Sequence, residues 1–154
     1  FLKDRIRFYF GERGFRYDEV NAAMAVGWED LPNLETRLVW LQRVRSTPDF
    51  EPLAASFKRI KNILRQADFH GGPFNPGLLD PGPENDLFDE INRAVGLPIE
   101  DAIGALRPKL DSYFDKVLVN APETAVRNNR MAMLHGLLEQ FRTFADFSEI
   151  VANS

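Results

Sequence analysis

Leu110, Tyr113, Phe114, Val117 and Leu118 fall at i, i+3, i+4, i+7 and i+8, the spacing that lines one face of a helix with apolar side chains. The same period returns in Met131, Leu134, Leu137, Leu138, Phe141, Phe144 and Ala145, and earlier in Leu53, Phe57, Ile60, Leu64 and Ala67. No segment alternates apolar and polar residues over a strand's length, and no repeat near 34 or 40 residues marks a solenoid. A chain with this period and no other can bury its apolar side chains only by packing helix on helix. The expected fold is an all-α bundle of six to seven helices.

Punctuation divides the bundle. The first helix follows Leu2, Ile6, Tyr9, Phe10 and Arg13 and stops at Gly14. A second, over 19–26, is expected to be capped by Asp18 and closed by Gly27, and a third to be capped by Asp30 or Asn33 and ended by Pro48. The fourth spans about 52–67. Residues 68–83 then hold four Gly and four Pro in sixteen positions, which excludes regular helix. Phe69, Phe74, Leu78 and Leu79 mark this loop as packed on the core. Helix resumes over 84–95, and another follows Pro98, with Pro108 expected to kink or split it. Pro122 and Glu123 are placed to open the last. The whole, 1–154, reads as a single domain, and its start at Phe1 with no signal-like segment reads as excised from something longer.

Conventional catalytic chemistry is missing. There is no Cys, hence no disulfide, thiolate metal site or cysteine nucleophile, which fits a cytoplasmic location. The two histidines, His70 and His135, sit in no metal-binding pair, and no phosphate-cradling glycine loop is present. Asp111 and Asp115 lie four apart on one helix, as paired ligands or paired acids would, but a solvated helix edge or ion pairing with Arg127 and Arg130 explains them. No apolar run approaches the roughly 18 residues a membrane span needs. Neither a catalytic residue nor a metal ligand is assigned, and no cofactor is expected in this domain.

Charge is the remaining signal. The net charge is −4, but residues 1–70 carry 12 basic against 10 acidic side chains, and residues 71–154 carry 7 against 13. Seven cations fall between Arg37 and Arg65 against two acids, so a local basic patch is possible where a global one is not. At about 100° per residue, Lys58, Lys61, Asn62 and Arg65 share roughly a third of the fourth helix's circumference. Lys and Arg there suit phosphates, and Arg and Asn suit the base edges of an unstacked loop. A solvated helix flank accounts for the same residues. In a second cluster, Arg127-Asn128-Asn129-Arg130, both Arg127 and Arg130 share a meridian with Leu134 and Phe141, and Arg130 lies deeper along it. It reads as architectural, paired to Asp111, Asp115 or Glu123, while Arg127 and Asn128 are better placed to face a ligand.

Five stretches resemble one family in register. They are Phe1-Leu2-Lys3-Asp4-Arg5 with Gly14-Phe15-Arg16-Tyr17-Asp18-Glu19-Val20; Phe57-Lys58-Arg59-Ile60-Lys61-Asn62-Ile63-Leu64; Tyr113-Phe114-Asp115-Lys116-Val117-Leu118-Val119; Arg127-Asn128-Asn129-Arg130-Met131-Ala132-Met133-Leu134; and Ala145-Asp146-Phe147-Ser148-Glu149-Ile150. Together they look like the C-terminal domain of the β subunit of bacterial glycyl-tRNA synthetases. That domain is similar to the helical anticodon-binding module of arginyl-tRNA synthetases, whose Asp-Ala-Leu-Arg tetrapeptide is absent here. The resemblance implies a module that binds the anticodon stem-loop of glycine tRNAs, which carry C at the second and third anticodon positions. It implies a parent enzyme that uses ATP and Mg2+, with an α subunit holding the aminoacylation core in a heterotetramer. The family's basic-plus-Asn helix then corresponds to Lys58, Arg59, Lys61 and Asn62, and its Arg-x-Asn-Arg element to Arg127, Asn129 and Arg130. Asn120-Ala121-Pro122-Glu123 departs from the family, which is more acidic there. A structural, subunit-contacting module that binds no RNA is the alternative.

Overall fold

Seven α-helices and two single 3-10 turns account for the secondary structure in a computed structural model that describes residues 1–151, and no strand occurs among the described residues. Residues 152–154, the end of the domain expected over 1–154, lie outside the described residues. The helices are α1 (Leu2–Glu12), α2 (Tyr17–Met24), α3 (Leu31–Arg45), α4 (Phe50–Gln66), α5 (Pro83–Ala94), α6 (Ile99–Lys116) and α7 (Thr124–Phe141). The chain divides into two compact units, one of Phe1–Lys58 with the described residues from Phe141 onward, the other of Arg59–Gln140. No helix among the described residues is long and apolar enough to cross a membrane.

In the first unit, Ile6, Phe10, Val20, Ala23, Met24, Leu34 and Leu38 form a buried cluster joining α1, α2 and α3. Aromatic rings extend it: Phe50 and Phe57 pack on Phe147 at centroid distances of 5.1 and 5.7 Å, and Trp40 stacks on Phe144 at 4.8 Å. Asp30 caps α3 by accepting the Asn33 N–H at 3.1 Å, and Pro32 sits in its first turn. Asp18 departs from its expected role. The α2 helix starts at Tyr17, two residues before the expected Glu19, and Asp18 is buried within its first turn as the partner of Arg45, whose Nη1 lies 2.8 Å from both carboxylate oxygens. The same carboxylate accepts the Val151 N–H at 2.8 Å. A group claimed by a tertiary cation is not left for capping.

In the second unit α5 packs along α6. Gly82, at φ +100°, turns the chain into α5, where a side chain would strain the backbone. Pro83 follows at the first helical position, with Glu84 and Asp86 favouring the positive helix end. Pro108 neither ends nor divides α6, because Ile103, Leu106, Leu110 and Tyr113 are buried on both sides of it and hold the helix through the missing hydrogen bond. The stripe expected to continue through Val117 and Leu118 does not. The helix ends at Lys116, Val117 is extended, and Leu118 is exposed. The Leu118 carbonyl is taken instead by Arg130 Nη1 at 2.6 Å. The last helix opens at Thr124, so Pro122 precedes it.

Candidate nucleic-acid interface

Lys58, Lys61, Asn62 and Arg65 on α4 are all exposed, while Phe57, Ile60 and Leu64 of the same helix are buried. The apolar period therefore sets the position of the cations: fixing one face inward leaves its flank in water. Lys58 ends the first unit, and Lys61, Asn62 and Arg65 belong to the second. Arg65 Nη2 donates to Asn62 Oδ1 at 2.9 Å, which holds the amide and leaves its own N–H groups directed away from that bond. Cations and an amide so placed can neutralise phosphates and donate to base edges.

The other basic residues between Arg37 and Arg65 divide. Arg37 is buried, donating to the carbonyls of Ala23, Phe144 and Gly27 at 2.7, 2.9 and 2.6 Å and to Asn33 Oδ1 at 2.8 Å. Burial holds its guanidinium below the usual arginine value, with Asp30 opposing in part. Arg45 is buried too, on Asp18 and the Val151 carbonyl. The patch that counting suggested thus loses two cations to the interior. Both supply the donors that loop carbonyls would otherwise lack.

The Arg-Asn cluster of α7 separates in the same way. Arg127 is half-buried, donating to the Ala121 carbonyl at 3.0 Å and to Thr124 Oγ1 at 3.4 Å, so it fastens the turn that enters α7. Asn128 is exposed. Asn129 is buried and pairs with the backbone of Asn75 in both directions, accepting its N–H at 2.7 Å and donating to its carbonyl at 3.0 Å. Arg130 is architectural, but not through Asp111, Asp115 or Glu123. Its Nε and Nη2 reach the two carboxylate oxygens of Glu84 at 3.1 and 3.2 Å, and Nη2 also reaches Asp80 at 3.2 Å. Burial alone would lower the Arg130 value, yet Glu84 outweighs it and holds the guanidinium firmly charged. Asp111 pairs instead with Arg107 at 2.9 Å.

These bonds dock the Gly/Pro-rich loop. Asn75 and Asp80 are tied to α7, Phe74 packs on Phe88 at 5.2 Å, and Phe69 meets His135 edge-on at 6.2 Å. Leu78, expected to pack inward, is exposed. Glu84 was the residue that counting missed. It shares a stripe with Leu87 and Ala94, all three buried on α5, and an acid on an apolar stripe calls for a cation on the facing one.

One residue adds to the exposed set. Arg59 lies with its Cζ 4.2 Å from the centre of the Phe114 ring, a cation stacked on an aromatic face. The pair borders a groove of about 590 Å³ within the second unit, between the end of α4 and the connector from α6 to α7. Among the described residues, no group of three His, Asp or Glu is arranged to hold a metal ion.

No family model matches the chain. Curated relatives do, over essentially its whole length. The glycine–tRNA ligase beta subunit of Desulfatibacillum aliphaticivorans is 37% identical across 99% of this chain, and that of Acidobacterium capsulatum is 38% identical across 99%. That of Myxococcus xanthus is 35% identical across 100%. The chain is similar to glycine–tRNA ligase beta subunits. It spans about a quarter of their length, 24% in each of these three.

Proposed function

We propose that this chain is the tRNA-binding, C-terminal domain of a glycine–tRNA ligase β subunit and clamps the anticodon stem-loop of glycine tRNAs. It supports ATP-dependent glycylation carried out with an α subunit in the cytoplasm, and has no active site of its own. The observation that carries this reading is the exposed cation-and-amide face of α4, Lys58, Lys61, Asn62 and Arg65, on a chain of net charge −4. A protein that repels RNA over most of its surface must bind through a local patch. Arg127 and Asn128 extend the proposed contact from α7, Arg127 by setting the turn and Asn128 by facing solvent.

The test is binding of glycine tRNA to the chain, followed by fluorescence anisotropy against a tRNA whose second and third anticodon bases are replaced. Tighter binding of the glycine tRNA is expected, with Asn62→Ala and Asn128→Ala reducing the difference. Equal binding of both tRNAs would remove the anticodon from the proposal. A second reading, a module that packs on another subunit, is favoured by α1, which exposes Phe8 at 71% and Tyr9 at 52%. On that reading Phe8→Ser disrupts assembly with the α subunit and leaves tRNA affinity unchanged.

A further inference from the structure

We propose that the outer face of α1 binds a second copy of this chain, the two helices lying antiparallel across a two-fold axis between Phe8 and Tyr9. None of the residues proposed to face RNA takes part, and the occupant differs from the α subunit that the second reading places on this helix. Phe1, Leu2, Phe8 and Tyr9 are all exposed, four large apolar side chains on one helix and its first flanking residue. Neighbouring apolar side chains left in water in this number mark an interaction surface. Ile6 and Phe10 fix the orientation, since both are buried in the cluster that joins α1 to α2 and α3. Phe8 stands two residues from each, about 200° round the helix, so it points away from its own unit's core.

Charge chooses the occupant. Arg5 and Glu12, both exposed, flank Phe8 within about 60° round the helix, one a turn before it and one a turn after. The other charges near this face are taken: Asp4 by Arg7 at 3.1 Å, and Arg13 by Glu35 of α3 at 3.0 Å. Arg5 rests on the Phe1 ring, its Cζ 5.2 Å from the centre, and neither Arg5 nor Glu12 has an ion-pair partner among the described residues. A surface that satisfies both must carry an acid and a cation in the opposite order along an apolar helix. An antiparallel copy of α1 does this. Setting Arg5 level with the partner's Glu12 also sets Glu12 level with the partner's Arg5, and brings Phe8 and Tyr9 of both copies together at the axis. A parallel copy would set Arg5 beside Arg5. Such a self-complementary two-fold contact closes at two copies. With 11 residues, α1 is about 16 Å long, too short to bury the roughly 800 Å² per partner of a standard interface, so the dimer is weak.

Sedimentation equilibrium of the chain from about 5 to 500 µM tests this, with the melting temperature of each variant reporting its fold. The average mass is expected to rise from the 17.6 kDa of one chain towards twice that value across the range. Phe8→Ser holds the mass at one chain. So do Arg5→Glu and Glu12→Arg taken singly, because each sets like charges together at both ends of the pair. Mixed in equal amounts, these two variants associate again, each supplying the charge that the other lacks. The double variant Arg5→Glu/Glu12→Arg associates as the parent does. Recovery on mixing also shows that neither variant had lost its fold. A parent that stays at one chain at the highest concentration overturns the proposal, and so does association that the single charge variants leave unaltered. Loss in both single variants with no recovery on mixing overturns the antiparallel pairing. If the parent stays single while Phe8→Ser abolishes binding of the α subunit, or weakens binding of glycine tRNA, the face belongs to that partner and the proposal fails. The RNA-binding reading, tested through α4, stands or falls separately.

Discussion

Replacing Arg130 with Ala removes four hydrogen bonds at once: two to Glu84, one to Asp80 and one to the Leu118 carbonyl. Their weights differ. Asp80 is largely exposed, so its share is that of a surface ion pair, about 0–1 kcal/mol. The Leu118 carbonyl can turn to water, since Leu118 is exposed. Glu84 decides the outcome: it is 1% exposed, and without Arg130 its remaining donor is the Asp80 N–H at 3.1 Å. Stranding a buried charge by deleting its partner costs about 3–5 kcal/mol. For a chain of this size that lowers the melting temperature by about 6–20 °C. Urea and thermal denaturation followed by circular dichroism measure it. The double variant Arg130→Met/Glu84→Leu should recover most of the loss, because an apolar pair of similar volume replaces a buried ion pair at little cost. If Arg130→Ala stays within about 1 kcal/mol of the parent while tRNA affinity falls, Arg130 is a binding residue and the architectural assignment is wrong.

Asn129→Ala should cost about 1–3 kcal/mol and expose the 68–83 loop to limited proteolysis, since the Asn75 N–H loses its partner and the Asn75 carbonyl keeps the Leu78 N–H at 3.1 Å but loses the bond to α7; an uncut loop contradicts this. Tyr113→Phe should leave stability unchanged or raise it by about 1 kcal/mol, because the buried Tyr113 hydroxyl has no hydrogen-bond partner and burial, with Glu84, pushes its value up. Burial pushes the Asp18 carboxyl up, but the Val151 N–H and Arg45 outweigh it and leave it below its ordinary 3.8. Its stabilisation is therefore present above that value and lost as pH falls through the lowered one, so Asp18→Asn should flatten the acid limb of a melting-temperature profile. Its neighbour behaves oppositely. Burial holds the Glu19 carboxyl above 4.5 despite Arg45, so stability falls as pH rises from 4.5 through the raised value. Glu19→Gln should melt higher than the parent at neutral pH and match it at about pH 4, and equal melting at both contradicts this.

Periodicity made the helices legible, including the burial of Leu34, Leu38, Leu41 and Val44 on α3 and of Leu134, Leu137 and Phe141 on α7. Those residues are placed by neighbours three or four positions away, and a sequence records such neighbours directly. It also showed Arg130 as architectural, since a charge on an apolar meridian must be neutralised inside. What it did not show is the identity of distant partners. Glu84 lies 46 residues from Arg130, Asp18 lies 27 from Arg45, and the Val151 carbonyl lies 106 from Arg45. Asp111, Asp115 and Glu123 all lie nearer to Arg130 in sequence than Glu84 does, but the stripe facing Arg130 is on α5. The same tertiary bonds moved the local boundaries: Arg45 drew Asp18 from its cap, and Arg130 drew Leu118 out of the helical stripe. Of the candidate interface, the exposed flank of α4 was legible because it is the complement of a buried face. The groove at Arg59 and Phe114 was not, because its walls come from segments about 55 residues apart that meet only in the folded unit.

The central claim is that the α4 flank is where RNA sits. The most direct measurement is the salt dependence of glycine tRNA binding for the parent chain and for Lys58→Ala/Lys61→Ala/Arg65→Ala. Three neutralised phosphates on a single-stranded loop give the parent a log–log slope of about −2, so a fourfold rise in salt weakens binding by about tenfold to twentyfold. The triple variant, with helicity unchanged, should bind weakly with a slope near zero. Full affinity and the parent's slope in the triple variant would contradict the claim and place the RNA on another face.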